Sequence, residues 1–89
     1  MAVAQRMRTR LTAALAPQRL EIFDESALHA GHAGHRPGGE THFRIDIVSA
    51  AFAGKSRVAR HRLIYEALAT EIAEGVHALA LVARAPDET

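Results

Sequence analysis

The sequence predicts an α+β domain in the order α-β-β-α-β, with a three-stranded mixed sheet and helices packed on one face. Apolar residues recur at helical spacing in two segments, 3–16 and 56–73. They alternate, or run nearly unbroken, in three short segments at 19–24, 42–49 and 76–83. At 89 residues there is room for one core, and no repeat with a period of roughly 20–50 residues competes with it.

The first helix carries Val3, Met7, Leu11, Ala14 and Leu15 on its stripe, and Arg6, Arg8 and Arg10 fall off it. Pro17 ends it, because a proline pushes the preceding residue out of the α region. Residues 19–24 read as a strand with Leu20 and Ile22 facing in, Glu21 facing out and Phe23 covering the other side. Residues 26–39 hold Gly31, Gly34, Pro37, Gly38 and Gly39 among three histidines and must be a loop. A loop of that length in a compact domain is usually functional or mobile. In the second strand, 42–49, Phe43, Ile45 and Ile47 share one face while Arg44, Asp46 and Val48 take the other.

A turn ending at Gly54 follows, and Ser56 caps a helix that runs to about Ala73. Its expected buried stripe is Val58, His61, Ile64, Tyr65, Leu68 and Ile72, and Gly75 stops it. The third strand, 76–83, is apolar enough to lie in the middle of the sheet. The crossover helix before it makes it parallel to a neighbour. Residues 84–89 are expected to fray, which leaves one domain over 1–89 with a core of about 3–83.

Composition removes several classes of function. The absence of cysteine excludes a disulfide scaffold, a zinc ribbon, a thiol nucleophile and a cluster held by this chain's own thiolates. No run approaches the ~18 apolar residues of a membrane span. No apolar signal core follows the N-terminal arginines, so the expected location is cytoplasmic with no membrane partner. A net charge of +1 is far from the strongly basic profile of a typical nucleic-acid domain. Gly54-Lys55-Ser56 resembles the end of a Walker A motif, but Ser49 stands where the upstream glycine belongs, which rejects nucleotide binding. No paired carboxylates or nucleophilic triad are recognisable, so neither an enzyme nor a small-molecule substrate is expected.

The charges and histidines are clustered. Arg6, Arg8 and Arg10 form one run, and Lys55, Arg57, Arg60 and Arg62 form another. Both read as solvated helix faces; the second also suits phosphate, including nucleic-acid phosphate, at a helix N-terminus. Three of the six histidines lie in His29-Ala-Gly-His32-Ala-Gly-His35. Glycines at that spacing let two imidazoles meet one metal, although a polar surface loop tolerates the same residues. With no Asp or Glu among them, this loop cannot fill a closed four-ligand zinc site. His77 opens an otherwise apolar strand. It either satisfies nearby backbone groups or, if that strand starts near the end of the first, joins a loop imidazole in a half-site that a partner completes. His61, on the expected buried stripe, reads as a packed, hydrogen-bonded core histidine.

Taken together, Asp24-Glu25-Ser26, Gly39-Glu40-Thr41-His42-Phe43, Val48-Ser49, Phe52-Ala53-Gly54, Arg60-His61-Arg62-Leu63-Ile64-Tyr65 and Val76-His77-Ala78-Leu79 resemble the BolA proteins in order and spacing over residues 3–83. The resemblance implies a class II KH-like fold. It implies a heterodimer with a monothiol glutaredoxin that shares a [2Fe–2S] cluster, and for bacterial members it implies transcriptional regulation by DNA binding. The family's ligand near the third strand matches His77. Its loop ligand falls on His29 when counted from Asp24-Glu25-Ser26, and nearer His32 when counted back from Gly39-Glu40-Thr41; His35 is a weaker match. The DNA-binding region matches 54–62, with Lys55, Arg57, Arg60 and Arg62. A chain without cysteine offers only imidazoles, so the glutaredoxin thiolate and glutathione would supply the sulfur ligands. Mixed ligation of that kind raises a cluster's potential.

Overall fold

The computed structural model describes residues 2–25 and 42–88. The expected loop at 26–39, with His29, His32 and His35, lies outside them. The described elements are α1 (Val3–Leu15), β1 (Arg19–Asp24), β2 (His42–Val48), α2 (Arg57–Ala67), α3 (Ala69–Ala73) and β3 (Ala78–Arg84), with 3-10 turns at Ala50–Phe52 and Pro86–Glu88. The order is α-β-β-α-β, the second helix being bent into two segments at Leu68 (φ −102°, ψ 14°). Among the described residues no helix is long and apolar enough to cross a membrane.

The middle strand is β2, antiparallel to β1 and parallel to β3. Its inner face, Phe43, Ile45 and Ile47, is at most 2% exposed and meets Met7, Leu11 and Leu15 of α1, Ile64 of α2 and Leu68 at the bend that follows. Each such side chain is worth about 1.5–3 kcal/mol of burial. The ladders set Leu20 and Ile22 on one side of Ile47 and Ile45, and Leu79, Leu81 and Ala83 on the other side of Phe43, Ile45 and Ile47. The opposite face carries Arg19, Glu21, Phe23, Arg44 and Asp46, with Phe23 lying over that other side as expected and 47% exposed.

Three expectations are corrected. The apolar third strand is an edge strand, because β1 already holds one side of β2 and the helical crossover returns the chain to the other. On α2, Val58 and Tyr65 are exposed (58% and 44%), and His61 is half-buried rather than packed in the core. The helix leans on α1 as well as on the sheet, so its covered arc extends from Ile64 and Leu68 toward Leu63 and Ala67. At a period of 3.6 residues per turn, Tyr65 and Val58 then lie about 60° and about 80° outside it. The tail is also folded: Ala85 is 1% exposed, and Glu88 in the last turn pairs with Arg60 and accepts from the Ala85 N–H at 2.8 Å.

A buried hydroxyl closes the end of the sheet nearest the helices. Ser49 Oγ donates to the Leu15 carbonyl at 2.6 Å and accepts from Ala51 N–H, while Ser49 N–H bonds Arg84 O across the sheet. The following 3-10 turn inserts Phe52 fully into the core. Gly54 (φ +74°) and Gly75 (φ +132°) then take left-handed conformations that favour glycine, the first before α2 and the second after α3.

The arginines of α1 have partners within the chain, although Arg8 and Arg10 remain exposed as a solvated helix face requires. Glu71 of α3 is 1% exposed, and past the bend at Leu68 it faces α1. Arg10 Nε lies 2.8 Å from its Oε2 as a hydrogen bond and 2.7 Å from Oε1 as an ion-pair contact. Arg6 adds a 2.9 Å bond to Oε2 and also pairs with Glu74, and Arg8 donates to Leu20 O at 3.0 Å. A buried carboxylate is tolerated only when so paired. Glu71→Gln, which keeps the volume and removes the charge, is therefore expected to cost about 1–3 kcal/mol. Urea melts check this: the midpoint should fall at constant slope, less so when Arg10→Ala is already present. An unmoved midpoint would remove the clamp from the account of stability.

Candidate functional site

The end of the sheet where β2 begins gathers the candidate ligands. His42 opens β2 opposite Ala78 in the parallel register, and His77 is the residue before β3. Glu25 N–H donates to His42 O at 2.8 Å, so both flanks of the segment 26–41 are tied together beside His77. One of the two sequence readings of His77 has its strand start near the end of the first; β3 pairs with β2, and the Glu25–His42 bond brings the end of β1 alongside. The His42 and His77 rings touch edge to face, with centroids 4.5 Å apart and planes at 79°. A small groove of about 220 Å³ runs alongside, lined by Glu25, His42, Phe43, Ala78, Leu79 and Ala80.

His77 has the surroundings of a ligand. The ring is exposed, and its Nδ1 lies 3.3 Å from the Gly75 carbonyl. With the proton on Nδ1 the ring donates to that carbonyl, and Nε2 carries the lone pair. Metal-bound histidines are commonly oriented by such a bond from the other ring nitrogen. The donor set is imidazole without thiolate, and Glu25 is held by Arg44 at 3.0 Å. Among the described residues no three His, Cys, Asp or Glu groups converge as a metal site. His29 and His32 lie outside the described residues. The sequence reads His42 as the first residue of a strand and as part of the Gly39–Phe43 motif, not as a ligand; the parallel register that sets it beside His77 joins segments 35 positions apart, and no local pattern announces it.

The second candidate surface is a cleft of about 510 Å³ lined by Lys55, Arg57, Arg60, His61, residues 81–84 and Glu88. Ser56 caps α2 by accepting from Ala59 N–H. Lys55, Arg57 and Arg62 are exposed, as a solvated basic face requires. Arg60 is different: it pairs with both Glu88 oxygens, at 2.5 and 2.9 Å, and donates to Lys55 O and Ala83 O. Its charge is already matched within the chain.

The Arg60 hydrogen bonds, with that from Ala85 N–H, lower the Glu88 pKa from 4.5 to about 2. A depressed carboxylate stabilises the fold fully above its unfolded value. That contribution declines as pH falls below about 4.5 and is gone below about 2. A carbon-detected NMR titration should find Glu88 ionised at pH 3, and Arg60→Ala should return it toward the ordinary range. A Glu88 that titrates normally in the unaltered chain contradicts the latch.

Comparison with known proteins agrees with this fold. A family model described as BolA-like protein matches residues 11–88. SufE-like protein 1, chloroplastic/mitochondrial, of Arabidopsis thaliana is 52% identical over 87 residues, covering 93% of this chain and 24% of that protein. The chain thus spans about a quarter of that relative's length. An uncharacterized protein in the cobS 5′ region of Sinorhizobium sp is 47% identical over 92 residues, covering 99% of this chain and 96% of that protein. The solved BolA domain of SufE1 from Arabidopsis thaliana superposes with a TM-score of 0.87 at 50% identity, covering 97% of this chain and 94% of that one.

Proposed function

The chain belongs to the BolA-like family, whose members are non-enzymatic, and on that premise we propose that it is an adaptor sharing a [2Fe–2S] cluster with a monothiol glutaredoxin in iron–sulfur or iron homeostasis. The observation that carries this reading is His77: an exposed imidazole with one nitrogen directed at the Gly75 carbonyl and a second imidazole against its ring. Two imidazoles are half of what a cluster needs. A chain without cysteine must take the sulfur ligands from outside, and a glutaredoxin thiolate with glutathione supplies them. When bound, the cluster supplies labile, exposed iron–sulfur chemistry suited to transfer or sensing. His77 would hold it from this side, and the resemblance offers His29 or His32 beside it.

The test is reconstitution of the cluster with the chain and a monothiol glutaredoxin together. The visible circular dichroism should differ from that of the glutaredoxin homodimer, and His77→Ala should abolish the difference while the far-ultraviolet spectrum and melting temperature hold. An unchanged visible spectrum in His77→Ala would take His77 off the ligand set.

DNA binding is the second reading, favoured by the exposed Lys55, Arg57 and Arg62 at the start of α2. Arg60, committed to Glu88, is not expected to contribute. Each phosphate contact removed should weaken binding across sequences and reduce the salt slope by about 1. Gel shifts at several salt concentrations that ignore Lys55→Ala with Arg57→Ala would dismiss this surface.

A further inference from the structure

We propose that the outer edge of β3 is a docking site for an extended acidic peptide of a partner protein, which adds to the sheet as a fourth strand beside the start of α2. The inference does not rest on cluster sharing.

The backbone is the first support. β2 has a strand on each side, whereas among the described residues β3 has one on its inner side only. In the parallel ladder Ser49 N–H bonds Arg84 O. Arg84 and, at every second position before it, Val82 and Ala80 therefore turn their polar backbone groups toward β2. Leu79, Leu81 and Ala83 turn theirs outward, and Arg60 reaches Ala83 O from that side at 3.1 Å. Leu79 and Leu81 each present an N–H and a C=O along this edge, which makes it a template for another strand. A phosphodiester backbone offers acceptors only and leaves those carbonyls unanswered, whereas a peptide backbone answers both groups.

Charge is the second support. The cleft of about 510 Å³ beside this edge joins residues 81–84 to Lys55, Arg57, Arg60 and His61. Lys55 and Arg57 are exposed and have no ion-pair partner among the described residues. They stand on the helix-bearing side of the sheet, the side on which Leu81 packs. Alternate residues of an added strand would face them, and carboxylates suit those positions. The residues between would lie beside Ala80 and Val82 on the open face, where apolar side chains fit.

The last turn of the chain is the third support, because it shows the same recognition on a small scale. Glu88 places a carboxylate in this cleft, accepts from Ala85 N–H at 2.8 Å and pairs with Arg60. Ala85 continues the outward-facing series, so one carboxylate meets an edge N–H and a cleft arginine together. The pairing also closes that end of the edge and limits an added strand to the stretch from Leu79 to Ala83.

The experiment titrates the isotope-labelled chain with a short synthetic peptide that alternates glutamate and valine, followed by amide NMR. The Leu79, Leu81 and Ala83 amides should shift most, and hydrogen exchange at Leu79 and Leu81 should slow. Lys55→Ala with Arg57→Ala, both at exposed positions, should weaken binding about five- to tenfold at low salt and leave the melting temperature unchanged. Two N-methylated peptides, one for each set of alternate amides, keep the charge; one should lose binding and the other retain it. Equal behaviour of the two overturns strand addition, as do shifts that bypass the β3 amides. A single-stranded DNA oligonucleotide that moves the Leu79 and Leu81 amides and displaces the peptide also overturns it, and assigns the edge to nucleic acid.

Discussion

The middle strand is the constraint on which the rest of the molecule depends. β2 is paired on both edges, antiparallel to β1 and parallel to β3, and its inner residues Phe43, Ile45 and Ile47 are fully or almost fully buried. Because the side-chain period of a strand is two, a shift of one residue in either ladder would turn those three out of the core. The register is therefore fixed by the hydrophobic face, and what happens at the strand's ends follows. At one end, Ser49 bonds Leu15 and Arg84, and the turn that follows seats Phe52 in the core. At the other, His42 is set down beside His77. The same ladders that stabilise the core align the candidate ligands.

Charge plays a larger structural part than the near-neutral composition suggests. Arg6 and Arg10 close over a buried Glu71, and Arg60 closes over Glu88. The first pairing joins α1 to α3 and fixes how the bent crossover sits; the second folds the last turn against α2. Both draw arginines out of the pool available to an outside partner. The basic face at the start of α2 is accordingly Lys55, Arg57 and Arg62, a weaker polyanion surface than the sequence run implies. Weak nonspecific attraction follows from so few contacts.

The proposed adaptor role has a chemical logic. His77 is exposed to an incoming partner, and under that proposal a chain without cysteine leaves the sulfur ligands of a shared cluster to that partner. A cluster held in that way would be suited to exchange rather than storage.

Element order and the inner face of the sheet were legible in the residues alone. Periodicity reports local backbone geometry: Met7, Leu11 and Leu15 declare a helix face, and Phe43, Ile45 and Ile47 a strand face, whatever lies opposite. Gly54, Ser56 and Gly75 marked the ends of the crossover for the same local reason. His77 was also legible, as a polar residue heading an apolar strand. What tertiary structure alone decided is who meets whom. Strand order placed β3 at the edge, and contact with α1 rotated α2 so that Val58 and Tyr65 face solvent and His61 lines a cleft. Glu71 and Glu88 found their arginines across 61 and 28 positions of chain. His42 met His77 through a parallel ladder. Such pairings depend on long-range packing and on the desolvation of opposite charges, and neither leaves a period in the sequence.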